Sequence, residues 1–170
     1  MGISIRAARQ SDVGTLHSLI RALAEYEKLA SLVVGTPEDL QRELFSERPV
    51  IEAVIAWHDD SALGFALYFH NYSTFLARRG LYLEDLFVVP DARGRGIGKA
   101  LIHYCARVAT ERQCGRFEWA VLDWNQPAID FYQSIGAKIL PEWQLCRLSG
   151  DELQRFAELA TPGLATGSEP

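Results

Sequence analysis

The glycine-rich segment from Pro90 to Lys99 is the feature that most constrains the fold of this chain. It reads Pro-Asp-Ala-Arg-Gly-Arg-Gly-Ile-Gly-Lys and follows the apolar run Leu81 to Val89, which is typical of a buried strand. The next apolar residues recur at helical spacing, namely Ile97, Leu101, Tyr104 and Val108. A strand, a glycine loop and a helix in this order direct backbone N–H groups and the positive end of the helix dipole at one place. The segment therefore predicts a pyrophosphate site, with a tight strand-to-helix turn as the alternative.

Two other phosphate-binding loops are excluded by their spacing. A dinucleotide-binding fingerprint needs a third glycine where Lys99 stands. A P-loop needs a glycine at Arg93 and a hydroxyl residue at Ala100. Neither pattern is met, so the ligand of this loop has to be sought elsewhere.

The rest of the chain predicts an α/β protein with a mixed sheet and helices on both faces. The predicted order is β-α-α-β-β-β-α-β-α-β-β-α. Its first half comprises a strand near 3–5, helices over about 11–30 and 36–45, a hairpin of 50–57 and 62–70, and a strand over 81–89. Its second half comprises a helix from about 97, a strand over 116–122, a short helix between 125 and 136, a strand pair near 138–148 and a helix over 149–160. We expect one domain over 1–160 and a flexible tail over 161–170, where the sequence is rich in Pro, Gly, Ser and Thr.

Charge and composition exclude several classes of function. The net charge of −5 gives no electrostatic reason to bind nucleic acid or an anionic membrane, whereas a cationic substrate suits it. Three cysteines without a CxxC pair indicate reduced thiols and a cytoplasmic location, and no zinc-site spacing is present. The four histidines lie far apart without a nucleophile motif, so a hydrolytic triad has no support. We therefore expect a soluble enzyme or binding protein without a metal.

The pattern Arg-x-x-Gly-x-Gly, within VxPxxRGRGIGKAL, resembles the acetyl-CoA-binding motif of the GNAT acetyltransferases. The resemblance implies the GNAT fold, with a mixed and mostly antiparallel central sheet, and acetyl-CoA as co-substrate without a metal. It further implies that the loop holds the pyrophosphate by backbone N–H groups and that the preceding strand pairs with the pantetheine arm. The implied coenzyme contacts are Leu86, Phe87, Val88, Arg93, Gly94, Arg95, Gly96, Ile97, Gly98, Lys99, Asn125, Gln126, Pro127 and Ala128.

Other segments narrow the resemblance to the spermidine/spermine acetyltransferase branch. They are residues 82–85, 120–126, 130–132 and 136–137, while residues 24–29 and 72–75 are most similar to the thialysine-acetylating members. This similarity implies a homodimer that acetylates a small primary amine, with thialysine or a lysine-like amine as the expected acceptor. The alternatives are a polyamine acceptor, a protein N-terminus or lysine, and a non-catalytic acyl-CoA sensor.

The resemblance also assigns the chemistry to particular residues. Acetyl transfer to an amine requires a neutral nucleophile and a proton for the leaving thiolate. Tyr132 is the implied general acid, and Glu84 is the implied base, acting through water. The neighbouring Asp85 points to the opposite face of a regular strand, so both acids reach one cleft only if the strand is bulged. The implied substrate contacts are Tyr26, Glu27, Glu84, Asp85, Glu118, Trp119, Ala120 and Glu142.

Each assignment has an ordinary structural alternative. Tyr132 and Trp119 could be core residues, because aromatic side chains at such spacings usually pack inside a protein. Glu84 could be a surface acid at a sheet edge, although the apolar residues around it predict a buried strand. Exposure alone would explain Glu27.

Overall fold

The computed structural model describes residues 2–159, which fall into two compact units. The first unit extends to Leu122 and contains the sheet, and the second begins at Asp123. The predicted tail over 161–170 lies outside the described residues, so the predicted domain boundary at residue 160 stays a prediction.

The first unit is built on one five-stranded sheet with the strand order β1-β2-β3-β4-β5. Neighbouring strands are antiparallel except β4 and β5, which are parallel. The predicted mixed, mostly antiparallel sheet is thereby confirmed. The strands are β1 Ser4–Ala7, β2 Glu52–His58, β3 Ser61–Ser73, β4 Arg78–Val88 and β5 Phe117–Trp119.

Helices flank the strands where the sequence signals place them. Thr36 opens α2 with a capping box, in which the Asp39 N–H donates to the Thr36 hydroxyl at 3.2 Å and the Thr36 N–H donates to the Asp39 carboxylate at 3.0 Å. The α-helices are α1 Val13–Tyr26, α2 Pro37–Phe45 and α3 Ile97–Glu111 in the first unit, and α4 Gln126–Ser134 and α5 Gly150–Glu158 in the second. Three short 3-10 helices lie at Gln10–Asp12, Ala30–Leu32 and Pro90–Ala92.

Helices cover both faces of the sheet, as predicted. On one face, α1 contributes buried leucines to a cluster with Ile55, Phe65 and Phe87 of three adjacent strands. On the other face, Tyr68 of β3 lies near Cys105 of α3, and both side chains are buried. Side chains alternate between the two faces of a strand, so β2, β3 and β4 are apolar on both. The strand predicted over 81–89, which contains the expected coenzyme contacts, thus lies between two layers of helices.

One predicted element is wrong. No strand forms at residues 138–148, where we expected a strand pair. Pro141 interrupts the apolar pattern, and the Trp143 N–H donates to the Leu140 carbonyl at 3.2 Å in a turn. The apolar side chains of this segment, including Leu145, are exposed within the described part of the chain. The strand predicted over 116–122 is also shorter, since only Phe117–Trp119 pairs with β4.

No helix within residues 2–159 combines the length and the apolar character that crossing a bilayer requires.

Candidate active site

The β4 strand loses its β5 neighbour halfway along its length. Pairing with β5 covers only Leu81 to Leu83, whereas β4 continues to Val88. From Glu84 onward, the β5 side of β4 makes no ladder contact with a described strand. This free backbone edge contains Leu86, Phe87 and Val88, the residues expected to pair with an extended ligand arm.

The glycine loop joins this edge to the N-terminus of α3. Gly94 and Gly96 adopt left-handed backbone conformations, with φ of 74° and 77°. A Cβ atom added to either glycine would meet nothing within 4 Å, so the space beside the loop is open. Gly96 directly precedes α3, whose first N–H groups and dipole point out of the helix at this place. Glycine is required here because left-handed backbone is strained for other residues and because a ligand can approach its bare Cα.

Arg93 connects the loop to two other elements through its side chain, and its predicted contact with the coenzyme stays a prediction. Its Nε donates to the Val88 carbonyl at 3.0 Å. Its guanidinium lies 4.3 Å from the centre of the Tyr26 ring and 5.8 Å from that of Phe87. The side chain therefore connects the end of β4 to the end of α1, where the substrate contacts Tyr26 and Glu27 were predicted.

The backbone of β4 contains the bulge that the adjacent acids Glu84 and Asp85 required. Leu67 pairs with Asp85 and the next residue, Tyr68, pairs with Leu83, so Glu84 is the extra residue. Glu84 is exposed, whereas Asp85 is half-buried beside it. The bulge thereby places one solvent-facing carboxylate next to one shielded carboxylate.

Two acids of this region act on the carboxyl group of Asp85. Burial, followed by the charges of Glu84 and Glu27, raises the pKa of Asp85 to about 6. Burial also raises the pKa of Glu27, which ends α1. We call Glu27, Glu84 and Asp85 the acid trio. A group of acids of this kind favours a cationic ligand, and perturbed carboxyl pKa values are common where protons are transferred.

The predicted substrate contacts on and just beyond β5 have surroundings different from those of the acid trio. The Glu118 carboxylate accepts from Arg116 at 2.7 Å and from the Asn71 amide at 3.0 Å. Its charge is therefore balanced within the protein. The Trp119 ring packs at a tilt against Phe117 with ring centres 4.9 Å apart, and Ala120 is exposed just beyond the strand.

The second unit contains the remaining predicted residues. Tyr132 is 7% exposed on α4, and its ring lies 5.4 Å from that of Phe131. Asn125 precedes α4, and its carbonyl accepts from the Ala128 and Ile129 N–H groups at 3.0 Å. Gln126 and Pro127 form the exposed first turn, and Glu142 is exposed in the segment after the helix. Their roles in coenzyme binding and catalysis stay predictions.

The first unit fits acetyl-CoA through its chemistry. The open glycine loop can hold a pyrophosphate, and the free β4 edge can pair with the amide groups of a pantetheine arm. Among residues 2–159, no group of three or more His, Cys, Asp or Glu side chains is arranged to hold a metal ion.

The strand, open glycine loop and helix N-terminus define an acyl-CoA-dependent N-acetyltransferase, and the chain belongs to the acetyltransferase (GNAT) family, whose model matches residues 17–137. Thialysine N-epsilon-acetyltransferase from Sus scrofa is 37% identical, with 91% of this chain and 97% of that protein covered. L-ornithine N5-acetyltransferase from Arabidopsis thaliana is 35% identical over 91% of this chain and 88% of its own length. Among solved structures, an integron cassette protein from the mobile metagenome of V. cholerae superposes with a TM-score of 0.79, at 29% identity over 94% of this chain and 99% of that one. The predicted family and enzyme class are confirmed.

Two contacts within the site were not predicted from the sequence. Arg93 was predicted as a coenzyme contact, but the position of its guanidinium over the Tyr26 ring is known only from the structure. Gly64 on β3 lies so close to β4 that an added Cβ would be 2.4 Å from the Phe87 carbonyl oxygen. A glycine inside a strand is a signal for such close backbone approach and could have identified this position.

Proposed function

We propose that this enzyme transfers the acetyl group of acetyl-CoA to the terminal amine of a lysine-like amino acid, with thialysine as the representative acceptor. The acid trio beside the free β4 edge is the observation that carries the proposal. Relatives that cover most of the chain are named for thialysine and ornithine, which are both amino acids with a side-chain amine.

The negative charge of the acid trio suits the ammonium groups of a lysine-like acceptor. A lysine-like amino acid presents two ammonium groups, whereas spermidine and spermine present three and four along a longer chain. Residues 72–75, where the polyamine branch has an Asp, contain no acid. Each missing carboxylate removes a charge-assisted contact worth about 1.5–3 kcal/mol when it is shielded from water. The remote ammonium groups of a polyamine would thus be held poorly.

In the proposed mechanism both substrates bind before transfer, and acetyl-CoA supplies the activated acyl group. The bound ammonium must first lose a proton, which Glu84 accepts through water because its side chain is exposed. Asp85 and Glu27 hold the amine, and a backbone N–H near Phe87 stabilises the negative charge that develops on the acetyl oxygen. Tyr132 donates the proton that the departing thiolate requires. Tyr26, Glu118, Trp119, Ala120 and Glu142 are the further proposed substrate contacts.

A substrate panel tests the acceptor. We expect kcat/KM to be highest for thialysine, followed by lysine and ornithine, when these are compared with putrescine, spermidine, spermine and a lysine peptide. The variant Glu27→Gln should raise the amine KM by about tenfold and leave acetyl-CoA affinity unchanged, because one shielded charge contact is lost. Spermidine or spermine exceeding thialysine tenfold would reassign the enzyme to polyamines, and activity confined to the peptide would reassign it to proteins. Tight acetyl-CoA binding with no acceptor turned over would favour the sensor alternative.

We also propose a homodimer, as the resemblance implies. Sedimentation equilibrium should give a mass of about twice the 19.0 kDa of the chain, and a monomer at micromolar concentration would contradict the proposal.

A further inference from the structure

A polar cavity lies at the end of α3 remote from the glycine loop. It has a volume of about 1050 Å³ and is lined by the end of β3, the start of β4 and the residues that follow α3. The 15 residues of α3 separate its two ends by about 20 Å, at 1.5 Å per residue. We call this space the arginine cavity after Arg78, Arg79 and Arg112, and it also includes His70 and Tyr72.

The charged side chains that line the arginine cavity do not all form ion pairs. Arg112 donates to both oxygens of Glu52, which balances its charge and fixes its orientation. Glu111, the acid in the lining, is paired with Arg107 of the same helix at 3.4 Å. The guanidinium groups of Arg78 and Arg79 have no ion pair or hydrogen bond among residues 2–159. Both residues line the cavity, so its wall carries positive charge that no ion pair within residues 2–159 balances, in a chain whose net charge is −5.

His70 adds a polar group that lacks a partner. Its Nε2 atom is buried and forms no hydrogen bond with the described part of the chain. Burial and the charge of Arg112 lower the pKa of His70, so its imidazole is neutral at pH 7. A buried polar atom without a hydrogen bond is costly, and native proteins usually satisfy such atoms with a ligand or water.

We propose that the arginine cavity is a binding site for a small phosphate-bearing anion. Planar guanidinium groups bind phosphate oxygens through paired hydrogen bonds, and two of them match the charge of a phosphate dianion. His70 lines the same cavity, so an anion bound there changes the electrostatic environment of its imidazole. Tyr72, 60% exposed at the cavity, provides an aromatic face for the organic part of a phosphate monoester.

The negative end of the α3 dipole lies on the same side of the helix and opposes an anion. Its effect corresponds to about half a charge and is screened at a helix end, whereas the two guanidinium groups carry two full charges. The concave shape and the acidic chain favour a small anion over nucleic acid.

Calorimetric titration with inorganic phosphate and with phenyl phosphate tests the site. The protein is saturated with coenzyme A throughout, so that the glycine loop is occupied, and ionic strength is held constant. We expect saturable binding of both anions, and about tenfold weaker binding in Arg79→Gln and in Arg78→Gln, because each loses one charge-assisted contact. Arg21→Gln, which removes an exposed charge from α1, is the matched control and should bind like the wild type.

Two further measurements define the ligand. Tyr72→Ser should weaken phenyl phosphate and leave inorganic phosphate unchanged if the organic group stacks on the ring, and equal loss of both would limit the site to free phosphate. In wild-type protein, phosphate should also shift the NMR resonances of the His70 imidazole, which does not depend on any variant folding. Absence of saturable binding, an unchanged affinity in Arg79→Gln, or an unperturbed His70 imidazole at saturating phosphate would overturn the proposal.

Discussion

At the scale of single residues, Asp85 has a carboxyl group whose environment opposes its charge. Its pKa is raised from 3.8 to about 6 by burial and by two neighbouring acids. The ionised form is therefore disfavoured in the folded chain, and the folded protein binds more protons than the unfolded chain between about pH 4 and 6. Stability contributed by this group is present below pH 4 and is lost as the pH rises through 6.

Asp85→Asn should therefore stabilise the protein at high pH while impairing catalysis. A shift of about two pH units corresponds to a free energy of up to about 3 kcal/mol. Urea unfolding at several pH values should show a gain of that order at pH 8 and almost none near pH 4. Asp60→Asn, at an exposed turn, removes the same charge and should give no comparable gain. A gain that is independent of pH would show that the ionisation of Asp85 is not its cause.

Arg93 couples two elements through its side chain, and this coupling is measurable. A cation over an aromatic ring contributes about 0.5–1 kcal/mol when it is partly exposed. In a double-mutant cycle of Arg93→Gln and Tyr26→Leu, the free energies of unfolding should differ from additivity by that amount. The parallel cycle with Arg95→Gln, an exposed arginine of the same loop, should be additive within error. Additivity in both cycles would mean that the contact at 4.3 Å has no energetic role.

At the scale of elements, the β4 strand and its loop depend on two glycines for opposite reasons. Gly96 needs its left-handed φ of 77° and has open space around it. Gly64 has no room, because the β4 backbone lies against its Cα. Substitutions at the two positions should thus fail in different ways.

Gly96→Val should fold but lose coenzyme affinity. The left-handed conformation costs a non-glycine residue about 1–2 kcal/mol, and the branched side chain would stand where the pyrophosphate approaches. Calorimetry should show acetyl-CoA binding at least tenfold weaker, whereas Gly35→Val, in an open loop with no positive φ, should bind normally. A folded Gly96→Val protein with unchanged affinity would remove the glycine loop from the coenzyme site.

Gly64→Ala should destabilise the sheet, because its Cβ would lie 2.4 Å from the Phe87 carbonyl oxygen. Overpacking of this kind costs about 1–3 kcal/mol and displaces the β4 edge. Gly14→Ala in α1, with nothing within 4 Å, should instead gain up to about 1 kcal/mol. Thermal unfolding distinguishes the two, and equal stability of Gly64→Ala and wild type would mean that β3 and β4 separate without cost.

At the scale of the whole molecule, the predicted site residues are divided between the two compact units. The first contains the acid trio and the glycine loop, and the second contains Tyr132. The net charge of −5 favours the approach of a cationic amine, so kcat/KM should fall as salt is added.

Tyr132→Phe removes one oxygen atom and should lower kcat by about 100-fold or more, because the departing thiolate loses its proton donor. The affinity for acetyl-CoA should hardly change. Tyr104→Phe, the same substitution on α3, is the control and should leave kcat unaltered. If Tyr132→Phe retained normal turnover, another group or water would have to be the acid.

The sequence alone determined the local elements and the class of protein. Capping at Thr36, the apolar period of α3 and the glycines after Pro90 depend on neighbouring residues, so they can be interpreted without coordinates. The prediction of a strand pair near 138–148 also relied on local sequence and was wrong, because a local apolar pattern does not show whether a partner strand exists.

Only the tertiary structure decided which side chains meet. From the sequence, Glu84 and Asp85 reach one cleft only if the strand is bulged, and the pairing of Leu67 with Asp85 and of Tyr68 with Leu83 shows that a bulge exists and lies at Glu84. The pKa of Asp85 is raised first by burial and then by the charges of Glu84 and Glu27, and Glu27 lies 58 positions earlier in the chain and approaches only when α1 lies against the sheet. Burial, charge coupling and ring stacking act through space over a few ångströms, and separation along a sequence carries no record of such distances.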